Sequence, residues 1–239
     1  VYNTRDGGES WQPGNKGIHA YFLPHDEWPE FGQCVHKVAR DSATPTRLYA
    51  QNHKGVYRSD DDGETWTSIE QGLTTNFGMT AVANPARGDS VWLVPIASDG
   101  ERIPPSAELQ LQRSDDAGAT WRTQHEGLPS PSYTNVLRDA AGLDTPEEPG
   151  LYFGTRNGEV YASLDGGESF ERIVEQLRPG DMVARFGGDE FALLPIAGST
   201  VADALAISQR IITSLELPFQ IHGTEVIVGC SAGVSAVRP

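Results

Sequence analysis

Of six histidines, five (His19, His25, His36, His53 and His125) lie no later than position 125, and four of them share a window with Asp26, Glu27, Glu30 and Cys34. Neutral imidazole and carboxylate oxygen are ligands for zinc or manganese, and a metal with an open coordination position binds and acidifies a water. No fixed spacing such as HExxH joins these residues, so a fold has to bring them together. The expected ligands are His19, His36 and His53, with Asp139 as a further ligand or general base. Arg138 and Arg156 are expected to stabilise developing negative charge. The same residues also read as separate structural groups: His36 hydrogen-bonded in a core, His53 in a turn beside Asn52, His125 facing solvent. Cys34 reads as a small buried residue rather than a nucleophile.

The elements that position them are set by a repeat. The motif Ser/Thr-X-Asp-X-Gly-X-Ser/Thr-Trp/Phe occurs at Thr4 to Trp11, Ser59 to Trp66, Ser114 to Trp121 and Ser163 to Phe170, with its aspartate at Asp6, Asp61, Asp116 and Asp165. The intervals are 55, 55 and 49 residues, and a period near fifty is the size of a propeller blade. An aspartate accepts backbone N–H groups across a tight turn, glycine supplies positive φ, and the closing aromatic packs between sheets. These carboxylates are therefore read as folding devices. The pattern resembles the Asp-box, or BNR repeat, of sialidase-like β-propellers. β-Branched and aromatic runs bounded by turn residues predict three complete blades, the third opening with a strand over SYTNVLRDA (132–140), preceded by the outer half of another. The chain opens in mid-blade at Val1, without Met or a targeting segment, and reads as the latter part of a longer propeller. In such a fold the loop before each innermost strand and the loop between its second and third strands emerge on one face. IHAYFLPHDEWPEFGQ is the first kind and NHKG, with His53, the second. His36 falls on an innermost strand, and Arg138 and Asp139 fall at the equivalent place in the third blade.

After the fourth motif the character changes. Gly187, Gly188, Asp189, Glu190 and Phe191 spell the signature of GGDEF-type diguanylate cyclases, and Arg178 with Asp181 match that family's RxxD inhibitory motif. The resemblance predicts a hairpin around the signature, a helix, and a following hairpin ending in SAGVSAV. The helix is legible independently: Thr200-X-X-Asp203 is a capping box, Val201, Leu205, Ile212 and Leu215 line one face, and Pro218 stops it. The first half of that family's domain, with its second metal-binding aspartate and nucleotide cradle, has no counterpart between Phe170 and Arg178. Cyclase activity is thus not expected, because two-metal phosphoryl transfer needs both halves of the site. The expected organisation is a partial propeller at 1–173 and a truncated α+β GGDEF-like segment at 174–239, a gene fusion or chimera joined at FERIVEQLRPGD.

Net charge is −15 with a sequence pI of about 4.7, which disfavours nucleic acid and anionic lipid as partners. No apolar run reaches the roughly 20 residues that span a bilayer. Two cysteines make no disulfide framework, and a reducing, cytoplasmic compartment is favoured. The primary expectation is a mainly β, metal-dependent hydrolase acting on a small-molecule phosphoester or ester. No organic cofactor is expected, and a homodimer completes the propeller. The alternatives are a non-catalytic scaffold for protein or glycan, and a sialidase-like glycosyl hydrolase. For the latter, Glu101 to Pro104 resembles the sialidase arginine motif, and Arg102 joins Arg138 and Arg156 on one face.

Overall fold

The computed structural model describes residues 1–20, 28–143, 150–174, 182–187, 190–216, 219–221, 224–226 and 230–235. A two-stranded sheet of β1 (Tyr2–Asn3) and β2 (Gln12–Pro13) comes first. Three four-stranded antiparallel meanders follow, each with its strands in chain order. Blade one contains β3 (Val35–Arg40), β4 (Leu48–Asn52), β5 (Val56–Ser59) and β6 (Thr67–Ser68). Blade two contains β7 (Gly78–Ala83), β8 (Val91–Pro95), β9 (Leu111–Ser114) and β10 (Arg122–Gln124), and blade three β11 (Ala141–Leu143), β12 (Leu151–Gly154), β13 (Val160–Ser163) and β14 (Glu171–Val174). This is the incomplete Asp-box propeller read from the repeat.

All four motif turns are built alike. Asp61 accepts from the Glu64 and Thr65 amides and the Thr65 hydroxyl, while the Ser59 hydroxyl donates to Asp61 and accepts from the Gly63 amide. Asp6, Asp116 and Asp165 each accept from the amide and hydroxyl four residues later. Successive blades are then stitched together by a third-strand side chain that donates to a carbonyl in the next turn: Asn3 to Gly63, Arg58 to Ala117, Arg113 to Gly166. The closing indoles reach back the other way, Trp66 to the Gly14 carbonyl and Trp121 to that of Ile69. The apolar core lies in these seams, with Tyr49, Val56, Ile69 and Leu93 between blades one and two, and Trp92, Leu109, Leu111, Phe153 and Phe170 between two and three.

The strand predicted over 132–140 is not formed, and pairing begins at Ala141 instead. Asn135 O accepts from Arg156 N and Ala140 O from Gly154 N, but between them the Ala140 amide turns back to Leu137 O and Arg138 takes φ +30°. A local turn has replaced the ladder bonds there.

The C-terminal part holds the expected elements: a hairpin of β15 (Met182–Gly187) and β16 (Glu190–Leu194), α1 (Val201–Leu215), and a hairpin of β17 (Phe219–Ile221) and β18 (Thr224–Val226). Thr200 and Asp203 form the reciprocal capping box. The helix face differs from the expected one. Val201 and Leu205 are exposed, and the inward stripe is Ala204, Ile207 and Ile211, with Ile207 fully buried. Ile212 of the expected face is half-buried like Ile211, and the side chain of Leu215 lies outside the described residues. Gly187, Glu190 and Phe191 lie on the signature hairpin, whereas Arg178, Asp181, Gly188, Asp189 and Pro218 lie outside the described residues. Residues 231–235 form no strand. No helix among the described residues is long and apolar enough to cross a membrane.

Candidate metal centre

β3 opens with a bulge: Val35 faces Asn52 and Lys37 faces Gln51, so His36 is the extra residue. Bulges re-aim a side chain out of the ladder alternation, and the buried His36 ring turns toward blade two, where its Nδ1 lies 2.6 Å from Gly78 O. A carbonyl only accepts, so Nδ1 carries the hydrogen and Nε2 presents its lone pair. Cys34 Sγ lies 3.6 Å from that Nε2. His53 stands in the turn between β4 and β5, its amide donating to Cys34 O at 2.7 Å and to the Asn52 side chain at 2.9 Å. These bonds bring the His53 ring edge-on to His36 at 5.3 Å between centroids, and Phe77 closes against both rings at 5.5 and 5.1 Å.

The result is a group of three donors, Cys34 Sγ and one nitrogen each of His36 and His53, all within 4.8 Å of one another. Donors in a tetrahedral zinc shell stand roughly 3–4 Å apart, given bonds of about 2.0–2.3 Å, so a small inward adjustment suits that ion. The Gly78 carbonyl already orients His36 as an outer-shell partner does in metal sites. Burial holds His36 below the usual imidazole range, assisted by the positive charges of His53, Arg138 and Arg102 and opposed by the Gly78 bond. A neutral ring is the ligand form.

Around this group the other blades contribute charge. In the loop between β8 and β9, Asp99 Oδ2 lies 3.7 Å from His53 Nε2, and Asp99 Oδ1 accepts from Arg102 at 2.5 Å. The Arg102 hydrogen bond is the main cause that holds the Asp99 carboxyl below its ordinary range. Asn135 donates to Arg102 O at 2.6 Å, and Arg138 reaches His36 O at 3.4 Å.

Of the residues expected here, His36 and His53 meet. His19 does not join them: its neighbour Ile18 is buried and its carbonyl accepts one hydrogen bond from Gln33, while His19 itself is exposed. Asp139 is 78% exposed and paired with Lys37. Arg138 borders the group through His36 O, and among the described residues the exposed Arg156 is fixed only by its amide on Asn135 O. His125 is exposed, as expected, and His25, Asp26 and Glu27 lie outside the described residues. Cys34 was read as a small buried residue and not as a ligand, and Asp99 was not singled out. The signal for Asp99 was topological, since its loop is blade two's counterpart of NHKG.

Comparison with known proteins supports both parts. Residues 168–239 match the family described as Diguanylate cyclase, GGDEF domain. The diguanylate cyclase TpbB of Pseudomonas aeruginosa is 43% identical over 65 residues, covering 27% of this chain and 15% of that protein. A xyloglucanase of Hypocrea jecorina is 30% identical over 129 residues, 50% of this chain and 15% of its own length. Among solved structures, an ancestral GH74 enzyme matches with a TM-score of 0.53 at 21% identity, over 77% of this chain and 23% of that one. The chain thus spans less than a quarter of each of these relatives, and the propeller likeness is one of fold.

Proposed function

We propose that this chain is a metal-dependent hydrolase of small molecules, with a divalent transition metal held by Cys34, His36 and His53. The observation that carries the reading is the convergence of three donors within 4.8 Å, one of them with its lone pair fixed by a backbone bond. Thiolate and imidazole together favour zinc over manganese. Three protein ligands leave a fourth position for water, and zinc lowers the pKa of a bound water to about 7. Asp99, beside His53, is placed to accept its proton, a role Asp139 can take only by leaving Lys37. Arg138 and Arg156 offset charge that develops on an ester oxygen. Two free cysteines agree with a reducing cytoplasm.

A glycan-binding propeller without catalysis is the second reading, favoured by the similarity to a xyloglucanase over half of this chain. Elemental analysis of the gel-filtered protein separates them. The expected result is about one zinc per chain in the native protein, lost in His36→Gln and Cys34→Ser variants that still melt cooperatively. A native protein that neither carries zinc nor takes it up on titration removes the hydrolase reading.

A further inference from the structure

Eight described arginines, at positions 5, 40, 47, 58, 102, 113, 122 and 172, stand in ion pairs with carboxylates. Of the other arginines in residues 1–174, Arg87, Arg138 and Arg156 do not, although the chain carries 33 acidic against 18 basic side chains. Arg87 belongs to the turn before Ser90, at the other end of blade two. Arg138 reaches His36 O, and the Arg156 amide donates to the carbonyl of Asn135, whose side chain holds Arg102 O. Arg138 is held there at φ +30°, a backbone region that costs a non-glycine residue energy and persists where surrounding contacts over-determine it. Beside them Thr134 Oγ1 and Asn135 Oδ1 are buried without a hydrogen-bond partner, although Asn135 Nδ2 is tied to the Arg102 carbonyl. Native proteins leave few such atoms unpaired, and a ligand is one reason to do so.

Resting on the hydrolase reading for the location of the chemistry, we infer that this face binds a tetrahedral oxyanion, and that the ester it cleaves is a phosphate or sulfate ester. Two guanidiniums free of carboxylates, in a protein of net charge −15, form a local positive field that a neutral ester does not use. The guanidiniums would hold the oxyanion beside the position that a metal on Cys34, His36 and His53 would take. The Thr134 hydroxyl supplies a donor to it, and the Asn135 amide oxygen an acceptor for a hydroxyl on the ester's organic side. A metal held by Cys34, His36 and His53 would supply an acidified water; in the reaction a water attacks phosphorus or sulfur and Asp99 takes up its proton. The ester P–O or S–O bond breaks, and the alcohol leaves after taking up one proton.

Binding of inorganic phosphate and of sulfate to the full chain, measured by titration calorimetry with and without zinc, tests this. Binding weakened at least tenfold by Arg138→Ala and by Arg156→Ala, and unchanged by Arg87→Ala, is expected. Partial recovery in Arg138→Lys, which keeps the charge, is the control for folding. Phosphate affinity that rises from pH 6 to 8, as the dianion forms, marks a phosphoester site, and sulfate binding that exceeds it marks a sulfoester site. No anion binding, or binding indifferent to both arginines, overturns the inference even where zinc is present. Arginine-dependent binding in a protein that takes up no zinc upholds it and removes only the hydrolase reading.

Discussion

Asp61, Asp116 and Asp165 show how a turn can hold a carboxylate ionised without any catalytic demand. Burial raises all three carboxyls and is the largest single influence on Asp61 and Asp165, but the hydroxyl and amide donors of each turn together outweigh it and bring them to about 2, against an ordinary 3.8. The folded state therefore binds protons less readily than the unfolded chain, so these groups contribute stability that is complete above pH 4 and fades as pH falls from about 4 toward 2. An acid titration followed by circular dichroism should show cooperative unfolding in that window, and an Asp116→Asn variant should flatten its own share of it. A transition displaced to pH 5 or above would assign the acid sensitivity to other groups. The motif declared this chemistry in the sequence, because its donors sit at fixed offsets from each aspartate. His36 and His53 were legible for a different reason, namely that the face of a propeller loop follows from its place in the meander. Cys34 was not, since its approach to Nε2 depends on a bulge that no residue type announces.

The same bulge recurs where β7 starts, with an extra residue between Gly78 and Thr80, and the third blade carries an enlarged version over 136–139. Innermost strands in this molecule thus break their own alternation at the end nearest the metal centre. Pattern reading finds such strands and misplaces their first turn, as it did over 132–140. The glycines after β2 and β10 are more rigidly determined. A Cβ on Gly127, at φ +77°, would lie 1.9 Å from Phe170 O, and one on Gly17, at φ +101°, equally close to Trp66 O. These glycines admit the parallel bridges Glu126–Ser169 and Lys16–Thr65 that join one blade's exit to the next blade's motif turn. Gly127→Ala should cost more than about 1 kcal/mol, since both conformation and space forbid it. Chemical denaturation would register this as a lower midpoint with unchanged slope. A variant as stable as the parent would mean that the seam between blades two and three can open without loss.

Among the described residues the Trp11 indole reaches only its own motif turn, donating to Gly8 O, with no preceding sheet to close against. Trp66 is 5% exposed and Trp11 55%, although both close the same motif. The indoles of Trp66 and Trp121 reach a carbonyl three residues past the preceding blade's closing aromatic, Gly14 after Trp11 and Ile69 after Trp66. The equivalent acceptor that remains is Ile173 O on β14, so a second copy is expected to supply the missing contact, and two such contacts would close a ring of eight sheets, two of them two-stranded. Sedimentation of this chain should find a dimer that Trp11→Glu converts to monomer, and a wild-type monomer at micromolar concentration would dismiss the arrangement. The overall architecture was the most legible property of all, because a repeat of constant length states its own copy number. How the copies close is not written in any one of them. One consequence follows from the seams, each of which joins only consecutive sheets. Amide exchange should then run as a gradient, fastest at the two-stranded start, slowest where Tyr49 and Leu93 meet, with unfolding that peels inward sheet by sheet.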